Sequence, residues 1–396
     1  MTRRALPLNI WALGVVSMLM DISSELIHAL LPVFVVGTLG AGAVWLGLIE
    51  GAAEATASIV KVFSGALSDR IGKRKPLLLL GYGLAALTKP LFPLAGSAAT
   101  VFAARLIDRI GKGIRGAPRD ALVADCTTPE QRGAAYGLRQ ALDTVGAFLG
   151  PLLAIGVLML SAGQLRPVFW VAVVPALLAV GVLWVAVKEA APVTRSAQPL
   201  AALRARDLPK AFWVLATVAA FFTLARFSEA FLVLRGSALG LPIVWTPLVL
   251  VVMNVAYMLS AYPAGRLADR VARVHLLMVG CVILIAANLV LGAARSPGVA
   301  LAGAALWGLH MGFTEGVLAA MVADAAPDRL RGTAFGVFNL LRGVLLLLAS
   351  VIAGVLWDRL GPATTFQAAA VFAALSLALM SFTLPGRSRG TAAHDV

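Results

Sequence analysis

Apolar runs of about 20–28 residues recur along nearly the whole chain, parted by short polar breaks. They predict spans at about 10–38, 42–67, 76–95, 98–116, 133–160 and 166–187, then at about 210–235, 242–266, 275–294, 297–322, 332–357 and 364–384. Each matches the roughly 20 residues a helix needs to cross a bilayer. Lipid offers backbone amides no partner, so every span is expected to be helical. The predicted class is an all-α membrane protein with twelve transmembrane helices in two six-helix bundles. The first bundle is expected over 1–187 and the second over 210–384, with a linker at 188–209 and a disordered polar tail at 385–396.

The two halves echo one another. Gly65, Leu67, Asp69, Arg70, Gly72, Lys73 and Arg74 return as Gly265, Leu267, Asp269, Arg270 and Arg273. Farther on, Asp125, Arg132, Gly133 and Gly137 return as Asp324, Arg331, Gly332 and Gly336, 199 residues later. Self-similarity at half the chain length means a duplicated architecture, and duplicated membrane bundles commonly build transporters. Six spans per half set both halves in the same orientation, around an expected cavity between them.

Composition agrees with a bilayer. Hydrophobic residues make up 60% and charged residues 13% of the 396, against about 45–50% and about 25% in soluble domains. The net charge of +14 does not indicate nucleic acid, because the basic residues gather in alternate connections. One set holds Arg70, Lys73, Arg74, Lys75, Arg119, Arg132, Lys188, Lys210, Arg270, Arg273 and Arg331; the other holds Arg166, Arg235, Arg295 and Arg359. The basic side is expected to be cytoplasmic, with both termini on it, in the inner membrane of a cell. Asp21 and Glu25 lie within the first apolar run, so it reads as an uncleaved span and not a signal peptide. Cys126 and Cys281 stand far apart, and neither a disulfide framework nor a metal site is expected.

The segment Gly65 to Arg74 resembles motif A of the major facilitator superfamily, the loop between spans two and three. The copy at 265–273 is partial, with Ala272 in place of the glycine. The resemblance implies a gate built from Gly65, Asp69, Arg70, Gly72, Arg74, Asp269 and Arg270, with Asp69 meeting the N-terminus of span eleven in one conformation only. Gly137, Gly146, Gly150 and Pro151 in span five resemble motif C, which the family's antiporters carry. Small residues there permit close packing, and the proline permits a kink. Arg109 and Gly113 resemble motif B, whose arginine is tied to proton coupling, although Lys112 and Arg115 depart from that motif.

Charges inside the spans supply the candidate chemistry. Arg105, Asp108, Arg109, Lys112, Arg115 and Arg119 recur at three- and four-residue steps along one stripe of span four. Each such charge costs at least about 2.5 kcal/mol at mid-bilayer, so the stripe must face a polar interior. Asp21, Glu25 and His28 share a face of span one; Glu50 and Glu54 share one of span two; Arg139 and Asp143 share one of span five. Asp21 or Glu25 opposite Arg109 is the expected proton switch, with Asp143 in reserve. A permanent ion-pair network holding the bundle together is the competing reading of the same charges. Gly111, Gly113 and Gly116 spell a dinucleotide-binding pattern, but no strand precedes them. By the resemblance, spans one, four, seven and ten line the cavity, making His28, Asp108, Lys112, Arg115, Arg226, Glu229, His310 and Glu315 candidate substrate contacts.

These features predict a proton-coupled carrier, not an enzyme, that exports small organic compounds such as drugs or metabolites. The expected partners are a small-molecule substrate, protons and membrane lipid, with no nucleic acid, no cofactor and no metal; one chain holds both bundles, so a monomer suffices. The alternatives are uptake of an organic anion with protons and a membrane sensor that transports nothing.

Overall fold

The computed structural model describes residues 6–189, 205–268, 270–327 and 330–383. Most of the predicted linker, the tail at 385–396 and Asp269 therefore lie outside the described residues. Among the described residues the chain is helical, with no strand. The first half runs through α1 (Leu8–His28), α2 (Ala43–Ile71), α3 (Lys75–Thr88), α4 (Ala98–Asp125), α5 (Pro129–Leu160) and α6 (Leu165–Ala186). The second runs through α7 (Lys210–Leu224), α8 (Ala230–Ala238), α9 (Leu248–Ala268), α10 (Arg273–Ala293), α11 (Pro297–Asp324), α12 (Arg331–Leu360) and α13 (Pro362–Thr383).

Among the described residues, ten helical segments are long and apolar enough to cross a membrane. Two of the twelve predicted spans are not among them, each for its own reason. Helix α4 is 28 residues long, about 42 Å at helical rise, but its charges spoil its hydropathy. Span seven was expected as one helix over 210–235 and is instead two, α7 and α8, parted at 225–229.

The described residues form two compact units divided near residue 202, with 242–248 grouped in the first. In the first, α1 packs on α5 and α6, while α4 packs on α2 and α3. In the second, α10 packs on α11 and α13, and α7 packs on α13 and α12. Glycines set the closest approaches. A β-carbon at Gly81 would lie 2.7 Å from the carbonyl oxygen of Gly111, and one at Gly113 2.6 Å from Cβ of Val60. The glycines of the dinucleotide-like pattern are thus helix-packing contacts, the usual role of small residues in membrane bundles. Large apolar side chains including Phe63, Leu80, Trp184 and Phe382 stay exposed, as expected of surfaces that meet lipid.

Candidate functional site

Helix α4 organises the first unit's interior. It starts at Ser97, whose side chain caps the amide of Thr100. It then presents its charges to α1, α2, α3 and α5. Arg105 is 1% exposed and its Nη2 donates to Glu50 Oε2 at 3.0 Å and to His28 Nδ1 at 2.9 Å. Asp108 accepts from Lys89 Nζ at 2.9 Å, and that ammonium also reaches Ser24 Oγ at 3.1 Å. Arg109 Nη1 lies 3.0 Å from Glu54 Oε1, and Lys112 Nζ lies 4.0 Å from the same oxygen. Arg115 stacks on the Tyr82 ring, 4.5 Å from its centroid. Arg119 donates to Ser17 Oγ at 2.8 Å and approaches Asp143, which pairs with Arg139 at 3.1 Å. Pairing of this kind offsets the cost of taking a cation or carboxylate out of water.

The partner of Arg109 is therefore Glu54, where Asp21 or Glu25 was expected. The side chains of Asp21 and Glu25 are half-buried and make no ion pair or hydrogen bond with any described residue. They are nonetheless surrounded by charge. Asp21 lies within electrostatic reach of Asp143, Lys112 and Arg119, and Glu25 within reach of Arg109 and His28. Both sit where α5 packs closely on α1: a β-carbon on Gly146 would lie 3.0 Å from Cβ of Asp21, and one on Gly150 2.6 Å from Cβ of Glu25. Two glycines of the motif C segment and the two candidate carboxylates thus form one contact. Pro151 follows inside the same helix, whereas Gly137 has open space where a side chain would go.

At the end of α2, Gly72 takes φ +67°, a left-handed conformation that favours glycine. Arg74 follows and collects the loop: it pairs with Asp69 at 2.8 Å and Asp125 at 3.4 Å, and bonds Ser68. The backbone amides of Arg74 and Lys75 donate to the two oxygens of Glu189 at 2.9 and 2.8 Å, which caps α3. Gly65 packs against Ala117, and Arg70 is exposed. In the second copy Arg273 pairs with Asp324, Arg270 is exposed, and Ala272 has φ −57°, where glycine confers nothing.

In the second unit one carboxylate holds two guanidiniums. Glu315 Oε1 accepts from Arg226 at 2.7 Å and from Arg342 at 3.1 Å, and Oε2 accepts from Arg342 at 3.4 Å. Arg226 stands at the break between α7 and α8, and Glu229 precedes α8. Phe227 packs beside Phe231, Trp307 and Phe366. His310 is fully buried, with ring neighbours Trp307 at 5.4 Å and Phe222 at 6.3 Å.

Of the expected substrate contacts, Asp108, Arg115 and His310 are 3%, 5% and 0% exposed, enclosed within their own units. Lys112 and Glu315 keep side-chain exposures of 49% and 25%. The predicted set omitted Lys89 and Glu189. Lys89 could have been found as a lone charge within an apolar run; nothing in the polar stretch marks Glu189. Among the described residues no cluster of three or more metal-ligating side chains is present.

The sequence model of the Major Facilitator Superfamily matches residues 13–345 and 236–394. An uncharacterized MFS-type transporter of Methanocaldococcus jannaschii is 30% identical over 387 residues, covering 96% of each chain. Multidrug resistance protein MdtH of Proteus mirabilis is 33% identical over 119 residues, 29% of this chain and 30% of its own. A POT family transporter crystallised with 5-aminolevulinic acid superposes with a TM-score of 0.78 at 12% identity, covering 96% of each chain.

Proposed function

The chain belongs to the major facilitator superfamily, and from that premise we propose that it exports small organic compounds in exchange for protons. As a transporter of this type it is a multi-pass membrane protein and not an enzyme. The observation that carries the antiport reading is the pair of unbonded carboxylates, Asp21 and Glu25, facing the glycines of α5 beside the charged stripe of α4. A carboxylate held beside movable cations gains and loses a proton as they shift. Arg109 pairs with Glu54 and is within electrostatic reach of Glu25.

In the proposed cycle, substrate entering from the cytoplasm displaces a proton from Asp21 or Glu25. The freed carboxylate competes with Glu54 for Arg109, and Asp143 holds Arg119 and Arg139 meanwhile. The Asp69 loop then closes the inner side, and the bundles rock outward. A proton from outside neutralises the carboxylate and releases substrate. This reading sets both termini in the cytoplasm, the chain in the inner membrane, and the monomer as the working unit. The 1–187 and 210–384 bundles are the moving bodies, joined through the 188–209 linker.

Everted vesicles containing the protein, energised and carrying an internal pH reporter, test the proposal. Addition of a transported compound is expected to collapse the gradient, and Arg109→Ala to abolish the response. A compound that crosses at the same rate with and without a gradient would sink it. The two guanidiniums around Glu315 favour a second reading, uptake of an organic anion with protons. In that case an inward proton gradient drives accumulation in right-side-out vesicles.

A further inference from the structure

The bridge between α1, α2 and α4 has a property that a fixed ion pair lacks. Arg105 Nη2 donates to His28 Nδ1 at 2.9 Å and to Glu50 Oε2 at 3.0 Å, while His28 Nδ1 and that same oxygen are 3.5 Å apart. A guanidinium only donates, so the 2.9 Å contact is a hydrogen bond in the neutral ring with its hydrogen on Nε2, whereas the 3.5 Å contact with Glu50 is the one a hydrogen on Nδ1 would make. We propose that His28 is a proton-binding group of the first bundle and that a proton arriving at Nδ1 hands Glu50 from Arg105 to His28. The inference rests on the proton-coupled reading and adds a group to it.

Nδ1 holds either a lone pair or a hydrogen. With a lone pair it accepts from Arg105, and the guanidinium ties α1 and α2 to α4. With a hydrogen it becomes a cation beside a cation, the bond to Arg105 is lost, and Glu50 Oε2 becomes its acceptor. Room for the exchange exists at Glu50, whose Oε1 is buried with no hydrogen-bond partner among the described residues. Arg105 Nε is likewise buried and unpartnered. The imidazole is reachable, with 12% side-chain exposure against 2% for Glu50.

Apart from Glu25, the other charged groups around the ring already have partners. Glu50 faces it from α2, Arg105 from α4, and Glu25 from one turn back on α1. Lys89, after α3, is held by Asp108 and Ser24. From α5, Arg139 and Asp143 pair with each other, and Arg119 and Asp120 gather round them. From α6 the charged side chain is Arg166, bound to the carbonyls of Pro93 and Ala95. His28 lies seven residues beyond Asp21 on α1, about 10 Å along the axis, with Glu25 between them. The three groups form a row along one face of α1.

The test is a nitrogen NMR titration of the purified protein labelled in its four histidines. Replacing His275 and His394 by Asn leaves His28 and His310, and His28→Gln assigns the remaining pair. At high pH, His28 is expected as the Nε2–H tautomer, becoming doubly protonated as the pH falls. Glu50→Gln should lower its midpoint by about one unit or more, and Arg105→Gln should raise it by a similar amount. A His28 that keeps one tautomer between pH 5 and 9, or whose midpoint ignores Glu50→Gln in a folded variant, overturns the proposal. Should Glu50→Gln not fold, the wild-type titration alone decides, because a ring that starts as the Nδ1–H tautomer cannot accept from Arg105. No transport is measured, so proton-independent transport would overturn the antiport reading and leave this result standing.

Discussion

A β-carbon added at residue 150 would lie 2.6 Å from Cβ of Glu25 and 3.0 Å from the carbonyl oxygen of Ile22. Neither atom belongs to a flexible side-chain end, so α1 and α5 would have to part. Overpacking of this kind costs about 1–3 kcal/mol. Gly150→Ala is therefore expected to lower the melting temperature in detergent and to impair transport, since it displaces a candidate proton site. Gly137 belongs to the same motif C segment but has nothing within 4 Å of the added atom. Gly137→Ala should match the wild type in both measurements, and a loss there would mean that the residue works in another conformation. The glycine pattern was legible in the sequence because small-residue spacing is itself the packing signal. Partner choice was not. The stripe of α4 placed Arg105, Arg109 and Arg119 on one face, but which helix meets that face at which height depends on packing. Thus Arg109 meets Glu54 and not the carboxylates of α1.

Element boundaries show the same division. Long apolar runs such as α6 and α10 were readable because the membrane demands a minimum length. The break between α7 and α8 was not, because Arg226, Phe227, Ser228 and Glu229 include no proline or glycine. Its cause is tertiary: Arg226 reaches Glu315, and Phe227 enters the aromatic cluster with Trp307 and Phe366. A broken helix within a membrane frees backbone groups that must be satisfied from elsewhere. The amide of Ser228 finds its acceptor in Ser350 Oγ at 3.1 Å, on α12, and Ser350 is fully buried. Ser350→Ala leaves that amide without its acceptor, at a cost of about 1–3 kcal/mol. The variant should melt earlier than wild type, whereas Ser350→Thr, which keeps the hydroxyl, should recover part of the loss. Equal melting of Ser350→Ala and wild type would show that the break is held by the aromatic cluster alone.

The duplicated plan carries one ion pair in both halves. Arg74 pairs with Asp125 and, 199 residues on, Arg273 pairs with Asp324. Each joins the start of one helix to the end of the next in its own unit, α3 to α4 and α10 to α11. In sequence, Asp69 to Arg74 is one residue longer than Asp269 to Arg273, and Gly72 turns left-handed at φ +67° while Ala272 remains at φ −57°. The repeat kept the pair and let the turn change. Stability alone is a weak reason to keep it, because Arg273 and Asp324 are 25% and 53% exposed and such surface pairs are worth about 0–1 kcal/mol. A pair that matters to the rocking of the bundles should instead show itself in rate. Arg273→Asp and Asp324→Arg, each alone, place like charges together and are expected to slow turnover about tenfold, a barrier change of about 1.4 kcal/mol. Substrate affinity and melting temperature should hardly move. Combining the two restores the attraction with its sign reversed and should recover most of the turnover. The same exchange at Arg74 and Asp125 should recover less, because Arg74 also binds Asp69 and Ser68. If the doubly exchanged second-half variant stays as slow as the singles, the charges act on something other than each other, and the repeated pair is not the element that sets the rate.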